Sequence, residues 1–249
     1  MKRTTAKKRI NPLAVHCAVA LCLIAAFFFP SGIKQGIDGQ VRLKSMPLGI
    51  KVMEFVTRDF EYRWLAGDIC RGSKTDKEKA LAVFAWVLEN INIDHPRTWS
   101  TVDDHILNII IRRYATADQR SDVFATLCTY AGVKAFWDKI RGASGKDSII
   151  LTFVRIDGAF RPFDVYRGIY FVKADGEIAG IKDIENKDGI MTDRGKPLSE
   201  CRVDYAGYLL DLKPVSMKTF TRAARQMPVS RIMYEIGRLT LGKRHVKPE

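Results

Sequence analysis

The hydrophobic period of this chain changes partway along, and that change decides its fold class. Before Gly132 the apolar residues keep helical spacing: Val123, Phe124, Leu127, Cys128 and Ala131 fall at i, i+1, i+4, i+5 and i+8, and Gly132 ends the run. From Ser148 to Ile156 β-branched residues dominate and lead into Asp157-Gly158, the dipeptide of a type I′ hairpin turn, after which Phe160 to Val165 returns. Gly168 to Val172 and Ile178 to Ile181 flank Ala174-Asp-Gly176 as a second hairpin. Helices first and antiparallel strands afterwards predict an α+β domain.

Upstream, Val52, Val56, Phe60 and Trp64 repeat every fourth residue and predict a helix over 50–66. Thr75-Asp-Lys-Glu78 reads as a capping box. It opens a helix with Ala80, Phe84, Val87 and Ile91 on one stripe. Residues 102–113 suggest a further helix. From Val215 onward the tail is helical with a break at Pro228. These readings divide the chain into a basic end with an apolar segment (1–33), a polar stalk and helical lead-in (34–74), a main domain (75–212) and a basic amphipathic tail (213–249).

Charge is uneven. The formal net charge is +13. Lys2, Arg3, Lys7, Lys8 and Arg9 crowd the first ten residues, and residues 213–249 carry nine Lys/Arg against Glu235 and Glu249. The body between is nearly neutral, unlike a nucleic-acid protein with a basic stripe on its folded part, so no nucleic-acid partner is expected. After the basic end comes an uncharged run of 17 residues, Leu13 to Phe29, about 25 Å long as a helix at ~1.5 Å per residue. An uncleaved transmembrane signal anchor is the expectation, with a cleaved signal peptide as the alternative. The positive-inside rule then leaves the N-terminus cytoplasmic and residues 31–249 periplasmic or extracytoplasmic. Cys70, Cys128 and Cys201 are the thiols outside the apolar run. Cys128 falls on the apolar face of its helix, a Cys70–Cys201 disulfide is open, and no CxxC or Cys/His pair has metal spacing. No cofactor or metal is expected.

The stretch from Ala117 to Gly132 resembles the nucleophile helix of the transglutaminase-like (papain-related) cysteine enzymes, in which a cysteine opens a helix and a small residue, an aromatic or Leu, Leu and Gly follow. Ser121, Phe124, Leu127 and Gly132 hold that spacing, and Ala117 stands where the cysteine would. Glu78 to Ile91 resembles the preceding helix of the same family. In the strands, Gly158, Phe160, Pro162 and Asp164 match the family register that follows the catalytic histidine, whose position is Ile149. The resemblance covers about residues 75–170. It implies a papain-like α+β domain with a degenerate triad: Ala117 and Ile149 replace the thiol and imidazole, and Asp164 survives. Ala117 would face Ile149 across a small cleft near Asp164. A thiolate nucleophile needs a helix N-terminus, an imidazole and an orienting carboxylate, so the first two losses remove the chemistry.

Asp164 without a histidine reads as a strand-end or turn carboxylate. Thr116 or Asp118 reads as the N-cap of the nucleophile-position helix. Gln119 and Arg120, in its first turn, could hold an anion; the other reading of Arg120 is an ion pair with Asp122. His16, His95, His105 and His245 read as segment, loop or surface residues. In the tail, Met217, Phe220, Ala224 and Met227 form one stripe and Ile232, Ile236 and Leu239 another, with Lys218, Arg222, Arg225, Arg231 and Arg238 on the remaining faces. Such a tail either lies on anionic lipid or an acidic polymer, or packs on its own domain. Together these expectations describe a membrane-anchored binding or scaffold module for a peptide, glycan or protein partner of an envelope or exopolysaccharide system. The alternative is an active cysteine-type hydrolase or acyltransferase whose nucleophile lies elsewhere.

Overall fold

The structure, a computed structural model, describes residues 12–35, 42–93, 105–142, 147–210, 212 and 221–240. Residues 2–9, His95, Met217, Lys218, Phe220 and His245 lie outside the described residues. The chain forms two units, residues 1–57 and 58–249, and the division falls inside a single helix, α2 (Leu48–Ile69).

In the first unit, α1 (Pro12–Phe28) follows from the uncharged run and buries no residue. Among the described residues no helix is long and apolar enough to cross a membrane. The segment expected to be a polar stalk instead folds into an antiparallel pair, β1 (Pro30–Gln35) and β2 (Arg42–Pro47), in the register Pro30↔Pro47 to Gln35↔Arg42. Lys51 Nζ fastens it by donating to Ser31 Oγ at 3.0 Å and to the Gly32 carbonyl at 3.1 Å. The Phe27 ring presses on Gly49, where no Cβ would fit.

The second unit is the α+β body. α3 (Asp76–Asn90) begins at the expected capping box: Glu78 N–H donates to Thr75 Oγ1, and the Glu78 carboxylate accepts the N–H of Thr75, both at 3.1 Å. α4 spans Ile106–Arg112 and α5 Ala117–Tyr130. The sheet follows in the order β3 (Ala135–Arg141), β4 (Ser148–Ile156), β5 (Ala159–Asp164), β6 (Ile169–Val172), β7 (Met191–Thr192), antiparallel throughout. The β4–β5 turn has Asp157 at φ 51° and Gly158 at φ 79°, the left-handed pair that a type I′ turn requires. Short α6 (Ile181–Asn186), a 3₁₀ turn (Leu198–Glu200) and α7 (Tyr205–Leu209) come next, then α8 (Arg222–Gln226) and α9 (Pro228–Thr240).

Strand alternation gives the sheet two packed faces. Val154, Ile156 and Phe163 join Phe84, Val87, Val123, Phe124 and Leu127 in a core covered by α3 and α5. Ile149, Leu151 and Phe153 point the other way and join Phe136, Phe171, Ile184, Tyr205 and Leu209 under α6 and α7. Phe84, Phe124 and Phe163 meet with ring centroids 5.3 to 5.5 Å apart. Fully burying each such ring is worth about 1.5–3 kcal/mol.

The helix expected over 50–66 forms as α2; along it Phe60 is 65% and Trp64 60% exposed, while Asp59, Tyr62 and Ala66 are buried. Tyr62 and Asp59 turn inward because their polar atoms find partners, the N–H of Leu107 on Tyr62 Oη and Tyr130 Oη–H on Asp59. The returning strand of the second hairpin shrinks to a bridge, Val172↔Ile178, because the Asp183 carboxylate accepts the Gly180 N–H at 2.7 Å and starts α6 there. Cys70 and Cys201 are free thiols in different clusters, so the open disulfide is not formed.

Candidate functional site

The first turn of α5 is built from local polar chemistry. Thr116 is the N-cap, as expected. The Gln119 carboxamide oxygen accepts the Thr116 N–H at 3.3 Å and an Arg112 Nη2–H at 2.7 Å, and the Thr116 hydroxyl donates to Asp118. Ala117, first residue of the helix, is half-buried. Its carbonyl accepts the Ser121 hydroxyl at 2.9 Å.

Arg120 is 6% exposed and runs inward rather than toward a ligand. It donates to the carbonyls of Val165 at 3.2 Å, Leu88 at 3.0 Å and Val87 at 3.5 Å, so it ties α5 to the end of β5 and to the C-terminal carbonyls of α3. Burial lowers its pKa. The ion pair expected between Arg120 and Asp122 does not form. Asp122, 2% exposed, is paired with Arg222 of α8 at 2.9 Å. The sequence placed Arg222 on a free basic face; the structure uses it to hold the tail against α5. Gln119 and Arg120 are therefore both engaged inside the fold.

Asp164, fully buried, has the turn role expected of it. Arg167 N–H donates to its Oδ1 at 2.9 Å, Arg167 Nη1–H to its Oδ2 at 2.8 Å, and Tyr205 Oη–H to Oδ2 at 2.7 Å. Burial, then the Asp164 charge, pushes the Tyr205 hydroxyl far above the ordinary phenol range, which keeps it a neutral donor. Residue 164 shares its strand face with 151, so its carboxylate points toward α7. Ile149 lies on that same face, among Phe136, Ile140, Leu151 and Phe153. α5 packs on the opposite face, so Ala117 does not look across a cleft at Ile149. The period of two carries residue 149 to the α6/α7 side.

The three thiols of the second unit are not prepared as nucleophiles. Cys128 is completely buried, on the expected apolar face, and burial pushes its pKa well up. Burial also raises Cys70 and Cys201, whose thiols sit near the carbonyls of Lys79 and Pro197. A nucleophilic cysteine needs the opposite shift. The three aspartates near the site are all engaged: Asp118 with Thr116, Asp122 with Arg222, Asp164 with Arg167 and Tyr205.

In the tail, α9 begins at Pro228, the expected break. Its apolar stripe does not pack on the domain: Val229, Ile232, Met233 and Ile236 are all exposed. Arg231 is paired with Glu235 at 2.7 Å.

No family model matches the chain, and no curated protein is similar to it. Among solved structures it is similar to a provisionally named cysteine protease from Cytophaga hutchinsonii, at 17% identity and TM-score 0.37, over 63% of this chain and 52% of that one. It is similar to a provisionally named protease from Parabacteroides distasonis, at 12% identity and TM-score 0.34, over 54% of this chain and 35% of that one. It is also similar to a structure described as a TGase, at 13% identity and TM-score 0.36, over 64% of this chain and 49% of that one. The chain thus spans about half or less of the length of these structures.

Proposed function

We propose that the chain is a transglutaminase-like domain that has given up catalysis and serves as a binding or scaffold module, held at a membrane by its N-terminal segment. One observation carries the reading: Ala117, with no nucleophile, opens α5, and burial raises the pKa of each thiol of the second unit. Supporting it, Ile149 lies in an apolar cluster on the sheet face away from α5, so it supplies no base to residue 117, and the Asp164 carboxylate is consumed by Arg167 and Tyr205. Anchoring rests on the basic residues 2–9 followed by the uncharged Leu13–Phe29, and on the exposure of every residue of α1. That topology puts the second unit on the extracytoplasmic side, where a peptide, glycan or protein of an envelope or exopolysaccharide system is the partner. The exposed apolar stripe of α9 suits the surface of an anionic bilayer or a partner groove.

The test is turnover. Full-length protein in detergent is assayed for amide hydrolysis and for acyl transfer from glutamine peptides to a fluorescent amine, with pulldown and mass spectrometry for the partner. The expected rate equals that of the heat-inactivated sample. Turnover abolished by Cys128→Ser, Cys70→Ser or Cys201→Ser would instead establish the active hydrolase or acyltransferase.

A further inference from the structure

At the β7 edge of the sheet a pocket of about 260 Å³ is enclosed by the β5–β6 turn, β6, the turn after β7 and the segment leading into α7. Its walls are Ile169, Val203, Cys201 and the Tyr205 ring, and four cations border it: Arg167, Arg194, Lys196 and Arg202. Among the described residues no carboxylate lines it. Asp164 lies behind Tyr205 and is already bonded to Arg167. Of the acids adjacent in sequence, Asp193 accepts the Tyr170 N–H at 3.2 Å, Glu200 is exposed, and Asp204 is paired with Lys187 at 3.4 Å and accepts the Gly207 N–H at 3.1 Å.

Two of the guanidiniums are held in place before any ligand arrives. Asp164 fixes Arg167 at 2.8 Å. Arg194 Nη2–H donates to the Gly168 carbonyl at 2.8 Å. Gly168 has φ +64°, and a Cβ there would stand 3.1 Å from the Arg194 guanidinium and 3.2 Å from Leu88, so glycine is what lets Arg194 approach. A concave site with apolar walls and a few converging polar groups has the anatomy of a small-ligand site, and planar guanidiniums suit the paired oxygens of a carboxylate or phosphate. The volume is below the roughly 300–1,000 Å³ of sites for drug-sized molecules, which limits the occupant to about one sugar ring.

We propose that this pocket binds a small anion, a carboxylate or phosphate borne on a body with an apolar face, its oxygens received by Arg167, Arg194, Lys196 and Arg202 and its body lying over Ile169, Val203 and Tyr205. The site does not depend on the family reading of the domain, since neither Ala117 nor Ile149 lines it.

Cys201 lies in the wall and reports occupancy. Full-length protein in detergent is alkylated with iodoacetamide near pH 8.5, the ordinary thiol pKa, and the Cys201 and Cys70 peptides are followed by mass spectrometry. Glucuronate and glucose 6-phosphate are the probes, with glucose as the uncharged control. At a probe concentration about ten times its Kd, mass action slows Cys201 labelling about tenfold while Cys70 is unchanged, and which probe protects decides between carboxylate and phosphate. The double variant R194Q/K196Q and the single Arg202→Gln, all at exposed positions, lose the protection; Lys139→Gln, exposed on β3 at the opposite sheet edge, keeps it. No protection by either probe, equal protection by potassium chloride at matched ionic strength, or protection that survives R194Q/K196Q would each overturn the assignment.

Discussion

Asp164→Ala measures whether the Asp164 carboxylate is a structural node. The Asp164 side chain is fully buried and accepts from Arg167 N–H at 2.9 Å, Arg167 Nη1–H at 2.8 Å and Tyr205 Oη–H at 2.7 Å. Removing one partner of a wholly buried ion pair costs about 3–5 kcal/mol. The Arg167 side chain is 39% exposed, so water recovers part of its share. Tyr205 is 1% exposed, and its hydroxyl is left without an acceptor at a cost of about 1–3 kcal/mol. The sum is about 2–4 kcal/mol, and for a body of this size each kcal/mol lowers Tm by about 2–4 °C, so a fall of about 4–16 °C is expected. Tyr205→Phe alone removes only the donor and should cost about 1 kcal/mol. In the double variant the two losses should not add, because Phe at 205 leaves no hydroxyl to orphan. Thermal unfolding followed by circular dichroism reads all of these. A Tm within about 2 °C of the wild type for Asp164→Ala, or strict additivity with Tyr205→Phe, would refute the reasoning.

Three further outcomes follow from the geometry. Iodoacetamide should modify Cys70 and Cys201 well before the fully buried Cys128, with peptide mass spectrometry as the readout; early labelling of Cys128 contradicts its burial. The N–H groups of Lys74 and Thr75 hold the Glu78 carboxyl below its ordinary pKa of 4.5. A depressed acid contributes stability above its unfolded pKa and loses it as pH falls through the folded value. Glu78→Gln should therefore lower Tm at neutral pH, and the difference should shrink as pH falls below the ordinary glutamate range, as Tm measured against pH would show. Ile232→Ser with Ile236→Ser should leave Tm within about 0.5 kcal/mol of stability, because both side chains are exposed; a large loss would mean that α9 packs on its own domain.

Features governed by local chemistry were legible in the sequence. The Thr75–Glu78 box, the Thr116 cap, the Asp157-Gly158 turn and the phase of Cys128 each depend on residues a few positions apart. What escaped it was set by distant partners. Which side of α2 faces inward is decided by Tyr62 and Asp59 meeting Leu107 and Tyr130, and no local pattern announces those bonds. Ile178 to Ile181 is β-branched enough for a strand, but the cap from Asp183 competes and wins. Arg222 is one of several cations in the tail, and only the fold brings Asp122 beside it. Arg167 and Arg202 stand far apart in the chain, and only the β6–β7 pairing and the 3₁₀ turn bring them to one pocket. Ile149 fits the family spacing yet lies on the α6/α7 face, a fact of strand parity that a one-dimensional register does not display.

The self-contained cap of α5 makes two positions respond differently to substitution. Thr116, Gln119 and Asp118 satisfy the first turn without any help from residue 117, whose side chain is half-buried. Small side chains such as alanine, serine and cysteine are thus nearly equivalent there for folding. Position 149 behaves differently. A histidine there would be desolvated among Phe136, Ile140 and Leu151, and an unpartnered imidazole in such surroundings is costly. Substitution is thus tolerated at position 117 and penalised at position 149, because a local cap sets the first and the packing of the second core sets the other.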